Sequence, residues 1–185
     1  MDKKIIQLGL FLMLVAGLAA LLLSNINALT QPIIAANQAR EAQLRMQEVF
    51  PEADRFDLEE QRDSGDIREI HLAYQDGNPA GVVYTLSPYG YDGRITFMAG
   101  FDLASRQVTG VRILSHTETP GLGANITQES FLQRFEGAPA DDALEVVKGK
   151  AASASQIQAV TAATVSSNAV ANGVNTAREH FNGNY

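Results

Sequence analysis

No cysteine occurs in the 185 residues, which removes disulfides, iron–sulfur ligation by the chain itself and thiol catalysis. Histidine is scarce. His71, His116 and His180 stand apart without metal-ligand spacing, and each reads as a surface or packing residue. No glycine fingerprint for a dinucleotide opens a helix after a strand, no Ser-His-Asp set can be assembled, and no carboxylate pair stands out as acid and base. Independent turnover is therefore not expected of this chain. Redox chemistry, if present, must come from an organic cofactor. Internal repeats and long low-complexity stretches are also missing. Positive charge is in short supply: of the net −7, the first thirty residues carry +1 (Asp2 against Lys3 and Lys4), leaving −8 on the rest. That acidic balance argues against nucleic acid and against docking on anionic lipid.

What is present begins with an apolar run. Leu8 to Leu23 contains no polar side chain, and Ile5 and Ile6 extend the run across Gln7. As helix it spans ~24 to 28 Å, close to the ~30 Å of a bilayer's hydrocarbon core. Lys3 and Lys4 precede it and residues 24–39 carry no charge, so the positive-inside rule puts the amino terminus in the cytoplasm and the remainder outside. A cleaved secretory signal would have a shorter core and a small-x-small cleavage site, which Ser24-Asn-Ile-Asn-Ala28 does not offer. The expectation is a retained single-pass anchor over 1–30 in the cell's inner membrane, a helical stalk over 31–51 ended by Pro51, and one extracytoplasmic domain over 52–185.

Within that domain the period changes to two. Ile70, Leu72 and Tyr74 alternate, Gln75-Asp-Gly-Asn78 supplies a turn, and Gly81 to Leu86 returns as partner. Ile95 to Phe101 and Val108 to Ile113 follow, so four strands form an antiparallel meander with one face to be covered. The cover is expected from a helix over Thr127 to Phe135, and from a last helix running from Thr164 to about His180. Val165, Ala169, Val170 and Val174 would lie on its inner side, with Gly183 beyond its end. Leu144 to Lys148 reads as a short strand. The class is α+β.

Three segments carry candidate chemistry. Thr161-Ala-Ala-Thr164-Val-Ser-Ser167 stands where a loop meets the last helix; free N–H groups and the helix dipole stabilise a phosphate there, and Thr161, Ser166 and Ser167 add hydroxyls. Taken alone it reads equally as an ordinary helix cap with small residues for packing. His116-Thr-Glu-Thr-Pro-Gly-Leu-Gly123 forms a tight loop in which Glu118 and Thr119 are polar, Gly121 and Gly123 permit close approach, and Leu122 offers an apolar surface. Pro88-Tyr-Gly-Tyr-Asp-Gly93 presents Tyr89 and Tyr91, or is simply a hairpin connection.

In this order behind an apolar amino terminus, these segments resemble the FMN-binding domain family. That family contains the G subunit of the Rnf ion-translocating ferredoxin:NAD oxidoreductase and the C subunit of the sodium-pumping NADH:quinone oxidoreductase. The resemblance implies covalent FMN on the last threonine of the family's Ser/Thr-Gly-Ala-Thr pattern, which falls on Thr164 after Ala163, through a phosphoester. It also implies that Glu118-Thr-Pro-Gly-Leu-Gly123 lies against the isoalloxazine ring, and that Lys148 meets the phosphate or a ring edge. Two positions depart from the pattern: Ala162 stands where the family usually has glycine, and Gln158 where it often has aspartate. The compact length fits the Rnf protein better than its longer quinone-reductase counterpart. The partners implied are the other membrane and peripheral Rnf subunits, with a flavin transferase for maturation, and the implied role is an electron relay. A membrane-anchored interaction or assembly subunit without a cofactor is the alternative of another class.

Overall fold

The computed structural model describes residues 3–185, with side-chain detail from residue 9 onward except at residues 19, 21–29, 32–36, 38 and 39. Helix α1 (Lys3–Val49) runs without a break through Pro32, and Phe50 and Pro51 follow its end. The expected anchor falls largely on side chains outside the described residues; among the described residues no helix is long and apolar enough to cross a membrane. The chain divides into residues 1–42 and a compact unit, Gln43–Tyr185.

The compact unit is built on a five-stranded antiparallel sheet in sequence order: β1 (Arg55–Gln61), β2 (Ile67–Gln75), β3 (Asn78–Leu86), β4 (Thr96–Asp102) and β5 (Val108–Ser115). The meander is as expected but has one strand more. β1 escapes period-two reasoning because only Phe56 of its seven residues is buried, as suits an edge strand rich in charge. The β2–β3 turn has two successive positive φ values, Asp76 at 50° and Gly77 at 80°, which is the hairpin geometry whose twist matches its strands.

Alternation sends Ile70, Val82, Tyr84, Leu86, Phe97, Ala99, Phe101 and Val111 to one face. Helix α3 (Thr164–Asn184) covers it with Ala169, Val170, Val174, Ala177 and Phe181, and Phe181 stacks on Phe101 at 5.2 Å between ring centres. Gly173 lets α3 sit close, since a Cβ there would lie 2.7 Å from the Phe97 ring. The second face is covered too. Gly81, Gly100 and Gly110 on three adjacent strands leave a shallow channel for the end of α1, where Val49 and Phe50 are fully buried and the Thr109 hydroxyl donates to the Val49 carbonyl at 2.7 Å.

Three expectations need correction. The helix over Thr127 to Phe135 is three pieces: a 3-10 turn at Gly123–Thr127, α2 (Glu129–Leu132) and a second 3-10 turn at Gln133–Phe135. The extended Gln128 (ψ 134°) interrupts it, while Phe131 and Phe135 still pack edge to face at 5.3 Å. The short strand expected within Leu144 to Lys148 is present as β6 (Glu145–Val147), and it pairs in parallel with an unanticipated β7 (Gln156–Gln158). Finally, α3 reaches Asn184, so Gly183 lies inside it, and Val165 is exposed rather than turned to the core.

Candidate functional site

The first turn of α3 is inverted in polarity. Ser166 and Ser167 are 1% and 0% exposed, whereas the apolar Val165 is 52% exposed. Across from it, Leu122 is 47% and Tyr91 76% exposed. A protein that hides two hydroxyls and shows three large apolar groups on one patch has built a surface for something other than water. Tyr91, Leu122 and Val165 line a cleft of about 430 Å³ together with Glu118, Thr119, Gly123, Ala162, Ala163, Thr164 and Ser166. That size and its mainly apolar wall suit a cofactor-sized ligand.

The polar anchor beneath the cleft is Glu118, 4% exposed. Its Oε1 accepts the backbone N–H groups of Tyr91 (2.8 Å) and Asp92 (3.1 Å), and its Oε2 accepts the Ser166 hydroxyl at 2.5 Å. Burial alone would raise its pKa, but the Ser166 hydroxyl, the two N–H groups and nearby His116 together hold it below the ordinary glutamate value. Glycine makes room at each oxygen: a Cβ on Gly90 would run into Oε1, and one on Gly123 into Oε2 while standing 2.8 Å from the Ser166 hydroxyl.

Thr164 is half-buried and begins α3; Ala163 before it supplies no side-chain cap. The first intrahelical bond is made by the Ser167 N–H to the Ala163 carbonyl at 2.9 Å, so the N–H groups of Thr164, Val165 and Ser166 precede it and form the anion-favouring end of the helix. Ser167 serves the backbone, accepting from the Val160 N–H (3.0 Å) and donating to the Ala163 carbonyl (2.8 Å). Of the remaining expected residues, Thr161 is exposed on the turn before α3 and Lys148 is exposed just past β6; neither lines the cleft. Tyr89 is also outside the lining, its ring under the Arg94 guanidinium at 4.2 Å. Gly121 is likewise outside the lining, between Thr119 and Leu122 in sequence. The place of Val165 and the Ser166–Glu118 bond escape sequence reasoning, because helical periodicity assigns an apolar residue inward.

Ala162 adopts φ +62°, the left-handed region that favours glycine. The strain is of order 1–2 kcal/mol for a residue with a Cβ, partly offset by glycine's greater unfolded-state freedom. Ala162→Gly is therefore expected to stabilise the domain by roughly 0.5–1 kcal/mol, read as a higher urea midpoint with unchanged slope. An equal or lower midpoint would show that this turn relaxes in solution.

Gly121 poses the opposite case. Its φ is +77°, yet a Cβ there would meet nothing within 4 Å. The expected effect of Gly121→Val is thus backbone strain of about 1–3 kcal/mol without any clash. The measurement is a urea midpoint lower than that of the unchanged domain, with the same slope. An unchanged midpoint would show that the loop takes up the side chain without cost.

Residues 90–179, which include every residue lining the cleft, match the FMN-binding domain pattern, and that match places the compact unit among FMN-binding domains. The G subunit of the Na(+)-translocating ferredoxin:NAD(+) oxidoreductase complex of Acetobacterium woodii is 30% identical over 94% of this chain and 89% of its own length. The G subunit of the ion-translocating oxidoreductase complex of Escherichia coli O157:H7 is 31% identical over 96% and 91%. Among solved structures, NqrC of Shewanella oneidensis superposes with a TM-score of 0.54 at 21% identity, covering 69% of this chain and 66% of that one, a likeness of fold alone. The chain belongs to the G-subunit family of Rnf-type ion-translocating oxidoreductase complexes.

Proposed function

We propose that this chain is a membrane-anchored electron carrier holding FMN through a phosphoester on Thr164, within an Rnf-type complex that moves electrons between ferredoxin and NAD. The observation that carries the reading is the inverted start of α3, with the Thr164 hydroxyl beside exposed Tyr91, Leu122 and Val165 in one cleft. The residues fit the group. Leu122, Val165 and Tyr91 can cover an aromatic ring system, and the first N–H groups of α3 can face a phosphate. Among the described residues no lysine, arginine or histidine lines the cleft, and Glu118 adds a negative charge there. A dissociable phosphate dianion would be weakly held in such surroundings, so a covalent bond to Thr164 supplies retention that the electrostatics do not. Bound FMN supplies reversible electron acceptance, which no side chain in the cleft offers.

Anchoring follows the same reading. The side chains of Leu10 to Val15 and of Leu18 are exposed on α1, which suits an apolar surrounding, and Lys3 and Lys4 favour a cytoplasmic amino terminus. The partners are then the other membrane and peripheral subunits, together with a flavin transferase that loads the chain.

Intact mass spectrometry of protein from native membranes tests the proposal. The expected result is a mass gain of one FMN and fluorescence that survives a denaturing gel. An unmodified, non-fluorescent chain would favour an interaction subunit without cofactor.

A further inference from the structure

Glu118 ties together every wall of the cleft. Its carboxylate joins the loop 88–94 through the Tyr91 and Asp92 N–H groups, and joins the first turn of α3 through Ser166, two residues past the proposed attachment site. All three partners donate to it, so the group is held as an anion with a fixed orientation. Gly90 and Gly123 allow this approach because any Cβ would displace one oxygen or the other. A carboxylate held by three protein donors is fixed in place and not free to turn toward a ligand, yet Glu118, only 4% exposed, belongs to the cleft lining. Away from bulk water a charge acts on its neighbours more strongly than on the surface.

We infer that Glu118 is a positioning residue and fixed anion: it holds the Tyr91 loop and the α3 turn in register, and its charge makes a flavin in this cleft harder to reduce. The inference rests on the proposed flavin reading. Reduction of FMN to its anionic reduced form takes up two electrons and one proton and adds one negative charge to the ring. A neighbouring carboxylate opposes that addition.

Glu118→Gln separates charge from shape, because the amide oxygen can still accept from Tyr91 and Asp92 while the amide nitrogen donates to the Ser166 oxygen. In anaerobic redox titrations of flavin-loaded protein, with dithionite as electron donor, the variant should favour the reduced flavin by about tenfold, roughly +30 mV for a two-electron couple. Ser166→Ala retains the charge and should move the equilibrium less than threefold. An unchanged equilibrium in Glu118→Gln, or an equal shift in Ser166→Ala, overturns the role of the charge. A second readout needs no flavin. In a Thr164→Ala background, Glu118→Ala should speed hydrogen exchange of the Tyr91 and Asp92 amides by at least tenfold while Glu118→Gln leaves them protected. Equal exchange in all three proteins overturns the positioning role. A wild-type chain without covalent flavin would overturn the flavin reading and with it the role of the charge, whereas the exchange result would stand by itself.

Discussion

Thr164→Ala is expected to give a folded, membrane-bound and colourless protein, with complete loss of gel fluorescence and of the FMN mass increment. The fold has little reason to respond. Thr164 is the first residue of α3, its side chain is only half-buried, and the helix is held by Val170, Val174, Ala177 and Phe181 further along. Alanine is also the better helix former. Stability should change by no more than about 0.5 kcal/mol, so absence of flavin could not be ascribed to unfolding. Thr161→Ala is the matched control, since Thr161 is exposed on the preceding turn and outside the cleft lining. Fluorescence that persists in Thr164→Ala and vanishes in Thr161→Ala would move the attachment site.

Gly123→Val should be far more damaging than Gly121→Val, although the two glycines are two residues apart in one loop. A Cβ on Gly123 would overlap Glu118 Oε2 and stand 2.9 Å from the Glu118 Cβ, and Ser166 Oγ is only 2.8 Å away. Neither neighbour is a free side-chain end: Glu118 is held by two backbone amides and Ser166 is buried in the α3 turn. Overpacking of this kind costs about 1–3 kcal/mol, and breaking the Glu118–Ser166 bond adds to it because a buried carboxylate loses a donor. The expected outcome is a melting temperature several degrees lower and a marked fall in attached flavin, since the tether turn and ring wall separate. Wild-type stability together with full flavin loading would mean that Glu118 can leave its place without consequence.

The segments that line the candidate cleft can be picked out in the sequence, and the way they meet cannot. Glu118 to Gly123 and Thr161 to Ser167 are recognisable as segments, but thirty-seven residues lie between them and nothing in their order says that Glu118 Oε2 meets the Ser166 hydroxyl. Thr161 is a candidate as a hydroxyl of the segment that opens the last helix, and Lys148 through the family resemblance. The turn before α3 and the short β6–β7 pair leave both exposed outside the lining. Helical spacing counts apolar residues inward and so assigns Val165 to the core. Buried Ser166 and Ser167 reverse that expectation, since one hydroxyl is taken by Glu118 and the other by the Val160 and Ala163 backbone.

Local chemistry therefore determined what local chemistry can: the β2–β3 hairpin, through Asp76-Gly77; the alternating strands of the meander; and the helix beginning at Thr164. The family was legible through the unchanged Glu118–Gly123 segment and Ala163-Thr164, despite Ala162 and Gln158. Edge strand β1 was hidden because an edge needs no apolar alternation, and the second covered face because glycines at 81, 100 and 110 carry no periodic signal. Only tertiary packing decided those features, along with the cleft itself. Hydrophobic period reports which side of one element faces inward, whereas a site is made where three elements meet, and the meeting is governed by the burial of all their faces at once.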